Sequence, residues 1–205
     1  MKIKFKKKKS IVLTFLILFS FGSYGQKKNH IGVRNAHTMT YNSNDSKIYL
    51  FGGANHEKVM NDLWFFENNK WVLVNVNHKP KPRTFSQMVY DTKNERLLLF
   101  GGNNVLFGDG ANSNTLLNDT WEFKKGIWRK LAPKRTPQPR SEAAMVYDKV
   151  RNRVVLFGGY TFKDKKYKKL NDTWEFYDND WHLISEEGPS ARNGAAMIFD
   201  EMNKE

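Results

Sequence analysis

Four arginines stand at matching places along the chain. Arg34, Arg83, Arg140 and Arg192 each lie five residues ahead of a methionine (Met39, Met88, Met145, Met197). A guanidinium is a planar fork of donors, so arginines placed this way either clamp a ligand carboxylate or phosphate or tie neighbouring parts of a fold together through carbonyls. Asp62, Asp119 and Asp172 recur too, each behind an asparagine. Repeated acids could line a metal channel. An Asn-Asp pair also satisfies turn backbone locally, which better explains a position used once per repeat. The six tryptophans fall in pairs seven residues apart: Trp64 and Trp71, Trp121 and Trp128, Trp174 and Trp181. Rings along a groove would stack on sugars, but periodic recurrence favours packing between neighbouring units. The doublets Gly52-Gly53, Gly101-Gly102 and Gly158-Gly159 open no helical pattern and precede no Lys-Ser or Lys-Thr, so a phosphate cradle is disfavoured. Close backbone approach or a positive φ at a strand end explains them better.

No catalytic set assembles from the remaining residues. The histidines at 30, 37, 56, 78 and 182 share no repeat position and show no ligand spacing. His56, between two strand-like segments, is kept as a binding candidate. The chain has no cysteine, which removes disulfides, thiolate metal sites and thiol nucleophiles, and no cofactor is expected.

The elements that must position these residues follow from the pattern around them. Leu97-Leu-Leu-Phe100 is a short apolar run ending at a glycine doublet, which suits a strand buried on both faces. Thr120-Trp-Glu-Phe123 alternates, as a half-buried strand does. Turn formers such as Asp91-Thr-Lys-Asn94, Lys124-Lys-Gly126 and Asp178-Asn-Asp180 separate the runs, and no stretch has helical periodicity. The whole set recurs three times and begins a fourth time at Arg192…Met197-Ile-Phe-Asp200. Each repeat reads as four antiparallel strands, A to D. Successive arginines are 49, 57 and 52 residues apart, and most of that variation lies between strands B and C, where 7, 15 and 11 residues follow the glycine doublet.

A Gly-Gly doublet, a downstream aromatic pair and a period near 50 residues resemble the kelch repeat. Asn-Asp-Thr-Trp-Glu-Phe with a trailing Trp is similar, more narrowly, to the bacterial secreted type, like the kelch repeats of the galactose oxidase-like central domain. The resemblance implies an all-β kelch β-propeller: three complete four-stranded blades, over about 34–82, 83–139 and 140–191, plus the first strand of a fourth in 192–205. It also implies a binding module for a protein or glycan. Copper oxidases of this fold need a cysteine-linked tyrosine, which this chain cannot supply. A sugar-acting enzyme resembling the sialic-acid mutarotases, its site partly in missing blades, is the alternative; a non-functional fragment is the third reading. A chain ending one strand into a blade is expected to be an incomplete ring, whose open edges would self-associate.

Residues 1–25 read as a signal peptide: lysines at 2, 4 and 6–9, an apolar run over 11–21, and Ser23 and Gly25 before the cut. The apolar run is too short to span a bilayer. Export to the periplasm, cell surface or medium is therefore expected, with no membrane span afterwards. Six of the 34 basic residues and none of the 21 acidic ones lie in this leader, so the remainder carries a net charge of +7. That is modest, and no nucleic-acid partner is expected.

In an up-and-down blade the B–C loops and D–A connections share one face. That face holds the longest loops and is the more basic one, with Lys163, Lys165, Lys166, Lys168 and Lys169 in the third B–C segment and Arg83, Arg140 and Arg192 at the ends of the connections. Loops on a rigid scaffold are the usual carriers of binding. An electropositive face would suit an acidic glycan or peptide, although ordinary solvated charge accounts for lysines equally well.

Overall fold

The computed structural model describes residues 30–106, 110 and 112–204, so the leader reading over 1–25 lies outside the described residues. Three four-stranded antiparallel sheets follow one another. The first blade holds β1 (Thr38–Asn42), β2 (Lys47–Phe51), β3 (Leu63–Glu67) and β4 (Lys70–Leu73). The second holds β5 (Gln87–Asp91), β6 (Arg96–Phe100), β7 (Thr120–Lys124) and β8 (Ile127–Lys130). The third holds β9 (Ala144–Asp148), β10 (Arg153–Phe157), β13 (Thr173–Tyr177) and β14 (Asp180–Ser185). Its B–C segment forms a separate hairpin of β11 (Tyr160–Lys163) and β12 (Lys166–Lys169). Strands B end at Phe51, Phe100 and Phe157, as the apolar runs predict.

The register repeats with the sequence. Met39, Leu50, Trp64 and Leu73 lie in one row across the first blade. Met88, Leu99, Trp121 and Lys130 form the same row in the second, and Met145, Leu156, Trp174 and Leu183 in the third. The C–D strands are joined by two-residue turns with positive φ at both positions: Asn68-Asn69, Lys125-Gly126 and Asp178-Asn179. This is the hairpin turn whose twist matches that of the strands.

Strand β1 lies beside β5, and β5 beside β9, so the A strands line the inside of the arc. The apolar cores lie between blades. Tyr49, Phe51 and Leu63 of the first blade meet Met88, Leu99, Trp121, Phe123 and Trp128 of the second. Val89, Leu98 and Phe100 of the second meet Met145, Leu156, Phe176 and Trp181 of the third. The trailing tryptophan is the wedge. Trp128 packs on Phe51 with ring centroids 5.3 Å apart, and Trp181 packs on Phe100 at 4.9 Å. Trp71, at the same position in the first blade, packs on Phe66 of its own sheet and stays half-buried.

The ring is not closed. Residues 192–200 take up the first bonds of a fourth unit, with Gly159 N donating to Arg192 O at 2.9 Å and Gly194 N to Glu142 O at 2.9 Å. The segment expected to be a fourth A strand forms no ladder among the described residues. No helix among the described residues is long and apolar enough to cross a membrane.

Candidate functional site

The repeated arginines and aspartates are partners. Arg83 donates to both carboxylate oxygens of Asp119 (2.8 and 2.9 Å) and to the Gly101 carbonyl (2.9 Å). Arg140 does the same with Asp172 (2.7 and 2.7 Å) and Gly158 (3.0 Å), and Arg34 with Asp62 (2.7 and 2.9 Å) and Gly52 (3.0 Å). Each aspartate also accepts the indole N–H of the tryptophan two residues on, as in Trp121 to Asp119 at 2.7 Å. Burial alone would raise the Asp119 carboxyl, but the Arg83 guanidinium and the Trp121 N–H outweigh it and hold the carboxyl below the ordinary carboxylate range. Asp62 and Asp172 are held down in the same way. The Arg83 and Arg140 side chains are 0% exposed. Of the two roles their spacing allows, the geometry assigns them the internal clamp: neither guanidinium reaches the loop face, so neither can meet a ligand there.

The arginine backbone joins blades. Gly53 N donates to Arg83 O, and Gly102 N to Arg140 O, both at 2.9 Å. The approach is close enough to require glycine: a Cβ on Gly52 (φ +68°) would sit 2.6 Å from the Arg83 carbonyl oxygen. Two residues beyond each arginine the backbone turns left-handed, at Ala36 (φ 53°), Phe85 (52°), Glu142 (55°) and Gly194 (65°). Phe85 N donates to Ala36 O at 2.8 Å, Glu142 N to Phe85 O at 3.2 Å, and Gly194 N to Glu142 O. These bonds lace the blades along the inner rim of the loop face. A left-handed conformation is uncommon for Phe or Glu and persists only where surrounding structure holds it.

Between the second and third blades this rim opens into a cleft of about 480 Å³. Its lining comprises Thr84 and Phe85 from the A-strand entry of the second blade, and Asn103, Val105 and Leu106 from its B–C loop. Glu142, Tyr160, Tyr167, Lys169 and Asn193 come from the other side. Asn193 Nδ2 donates to the Glu142 carboxylate. Burial pushes the Tyr160 phenol above its ordinary range; Glu142 and Tyr167 add to that push, while Ser141 and Asn103 oppose it. Tyr160 therefore stays a neutral hydroxyl. A cleft with mostly apolar walls and a few convergent polar groups is the usual form of a small-ligand site. The described residues hold no group of three or more metal-ligating side chains.

The lysine candidates lie beside this cleft. Lys163, Lys166 and Lys168 project from one face of the β11–β12 hairpin, with Lys165 in its turn. Tyr160, Phe162, Tyr167 and Lys169 occupy the other face, where Tyr167 meets Phe162 and Tyr160 edge-on with centroids 5.2 and 5.6 Å apart. Among the described residues none of these five lysines is within ion-pairing distance of a carboxylate. His56 is on the first blade's B–C loop, its side chain 87% exposed beside Glu57, and is not among the residues lining the cleft. Arg192 is exposed and folds back on Ser190.

Sequence reasoning missed the β11–β12 hairpin, although Tyr160-Thr-Phe and Tyr167 around Asp164-Lys165 carry an alternation that signals one; both turn residues have positive φ. It also missed Glu142, whose position carries a different residue in each repeat, and Asn193, matched in type only by Asn35. The buried Glu122 and Glu175 were visible only as the alternating polar residue of Trp-Glu-Phe. Glu122 takes up Arg96 and Arg129, and Glu175 takes up Arg151 and Arg153.

Three laced blades with inner A strands and loops gathered on one face define a kelch-type β-propeller. The chain belongs to the Attractin/LZTR1 beta-propeller family, whose model matches residues 6–203. It is similar to Mei4-dependent protein 6 of Schizosaccharomyces pombe, 33% identical over 48% of this chain and 15% of the relative. F-box/kelch-repeat protein At1g51550 of Arabidopsis thaliana is 29% identical over 62% of this chain and 27% of the relative. Dynein regulatory complex subunit 7 of Chlamydomonas reinhardtii is 28% identical over 64% and 11% respectively. The matches span about a quarter or less of the length of these relatives.

Proposed function

We propose that this chain is an exported binding module of the bacterial secreted kelch type, holding an anionic protein or glycan against the face built from its B–C segments and D–A connections. The observation that carries this reading is the β11–β12 hairpin. It sets Lys163, Lys165, Lys166 and Lys168 on an exposed ribbon alongside a cleft; the ribbon's one acid, Asp164 in the turn, forms no ion pair with them among the described residues. Unneutralised charge of one sign concentrates an oppositely charged partner near the surface and speeds its capture, in a salt-dependent way. The family supports interaction rather than catalysis, since propellers of this kind commonly present loops to other proteins. The basic, apolar and small-residue segments of 1–25 support export.

Retention on a sulfated polysaccharide resin tests the reading. The protein binds at low salt and elutes as salt rises. The variant with Lys163, Lys165, Lys166 and Lys168 all changed to Ala elutes at clearly lower salt, with unchanged melting. Elution of both at the same salt refutes the hairpin as the docking element. Mass spectrometry of exported material should give a chain beginning at Gln26.

A further inference from the structure

We infer that the cleft between the second and third blades is a built site for a single neutral hydroxylated ring, of the size and chemistry of a pyranose. The inference rests on the loop face being a binding face, but not on the lysines that attract an anionic partner.

The polar floor of the cleft is held in place before any ligand arrives. The residue after each glycine doublet bridges to the residue after each arginine: Ala54 to Asn35, Asn103 to Thr84, Tyr160 to Ser141. Thr84 N and Asn103 O are 2.8 Å apart, and Asn103 N and Thr84 O 2.9 Å, with the Thr84 hydroxyl also donating to Asn103 O. The backbone frame is thus the same in every blade, and only the side chains differ. The first blade carries Ala54 where the second presents an amide and the third a phenol.

Two atoms on this frame lack a well-formed hydrogen bond among the described residues. Asn103 is only 6% exposed and lines the cleft, yet among the described residues its Oδ1 makes no well-aligned hydrogen bond; Ser141, 1% exposed and outside the lining, makes none through its Oγ either. Both side chains interact with the Tyr160 hydroxyl, in contacts too poorly aligned to satisfy either atom fully. Buried polar atoms are almost always well paired, and leaving one short of a partner is costly, so the Asn103 Oδ1 at the floor of the cleft points to a ligand that supplies a donor. Glu142 adds a further acceptor, fixed by its left-handed backbone and by Asn193.

The charge balance selects against ions. The cleft carries one carboxylate, Glu142, and one ammonium, Lys169. A monoanion would face Glu142 and a monocation would face Lys169, whereas a polyol uses both, donating to the acceptors and accepting from Lys169 and Tyr160. The walls are hydrocarbon and aromatic, from Phe85, Val105 and Leu106, and suit the C–H face of a ring. Aromatic and apolar walls with a few fixed polar groups, in a cavity of this volume, hold ligands of one or two rings.

Saturation-transfer NMR on the full chain tests this, with the methyl α- and β-glycosides of glucose, galactose, mannose and N-acetylglucosamine as probes. At least one glycoside should show transfer. Asn103→Ala and Glu142→Ala should each weaken its binding about tenfold or more, the effect of removing one hydrogen bond made by a buried or charged acceptor. Both substitutions restore the first blade's own residue at the equivalent place, Ala54 and Ala36, so the frame is kept; melting temperature verifies this. Transfer from none of the eight probes overturns the inference, as does transfer that survives both substitutions. Loss of glycoside binding with polysaccharide retention intact separates this inference from the reading of the lysine hairpin.

Discussion

Replacing Asp119 by alanine should be among the most damaging single changes in the second blade. Asp119 accepts two bonds from Arg83 and one from the Trp121 indole, all between 2.7 and 2.9 Å. Alanine removes both acceptor oxygens, and with them all three bonds, and leaves a guanidinium with no solvent access and only the Gly101 and Lys81 carbonyls for company. Breaking a buried ion pair from one side costs about 3–5 kcal/mol, because the remaining charge is uncompensated. Against a total stability of about 5–15 kcal/mol, that is a large share. With a urea m value near 2 kcal/mol/M, the unfolding midpoint should fall by about 1.5–2.5 M, followed by tryptophan fluorescence. Replacing both partners, Arg83→Met with Asp119→Leu, should recover part of the loss, since no charge is then left buried. The reasoning is refuted if Asp119→Ala moves the midpoint by less than about 0.5 M, or if the double variant is no more stable than the single one.

Three further outcomes follow from the same contacts. Asp62, Asp119 and Asp172 titrate in the fold below their unfolded value near 3.9, so their stabilisation is full above about pH 5 and is lost as pH falls through the folded values. Urea midpoints should hold steady from pH 7 to 5 and drop steeply towards pH 3, less steeply in Asp119→Asn. The Trp181 N–H donates to the Thr120 hydroxyl at 2.9 Å across the blade interface. Thr120→Val should therefore cost about 1–3 kcal/mol by thermal or urea melts, and Thr173→Val, at the same position in the third blade with no described tryptophan laid on it, under about 0.5 kcal/mol. Gly101 has φ +65° with the Arg140 carbonyl oxygen 2.8 Å from a would-be Cβ, whereas Gly126 has φ +79° with nothing within 4 Å. Gly101→Ala should lower the melting temperature clearly more than Gly126→Ala, because strain and a backbone collision add in the first and strain alone acts in the second.

The blade plan was legible in the sequence because it rests on local physics repeated in register. Apolar runs ending at a glycine doublet, alternation in Thr-Trp-Glu-Phe and two-residue turns each declare their own conformation, and threefold recurrence ties them to one architecture. The tertiary structure decided which partner each repeated polar residue takes. Arg83 and Asp119 are 36 residues apart, and nothing in their neighbourhoods tells a ligand clamp from an internal one until the sheet brings them to 2.8 Å. It also decided the difference between equivalent tryptophans: Trp128 and Trp181 are sealed because a Phe of the preceding blade receives them, while Trp71 meets no such Phe among the described residues and stays half-buried. The cleft was the least visible from sequence. Asn103 and Glu142 have no counterpart in the other repeats, Asn193 is matched only by Asn35, and only the lacing of the rim, one blade's backbone N–H to the preceding blade's carbonyl, makes the three neighbours. Periodicity reports what every repeat shares, whereas a binding site is made of what the repeats do not share, converging only after the chain has folded.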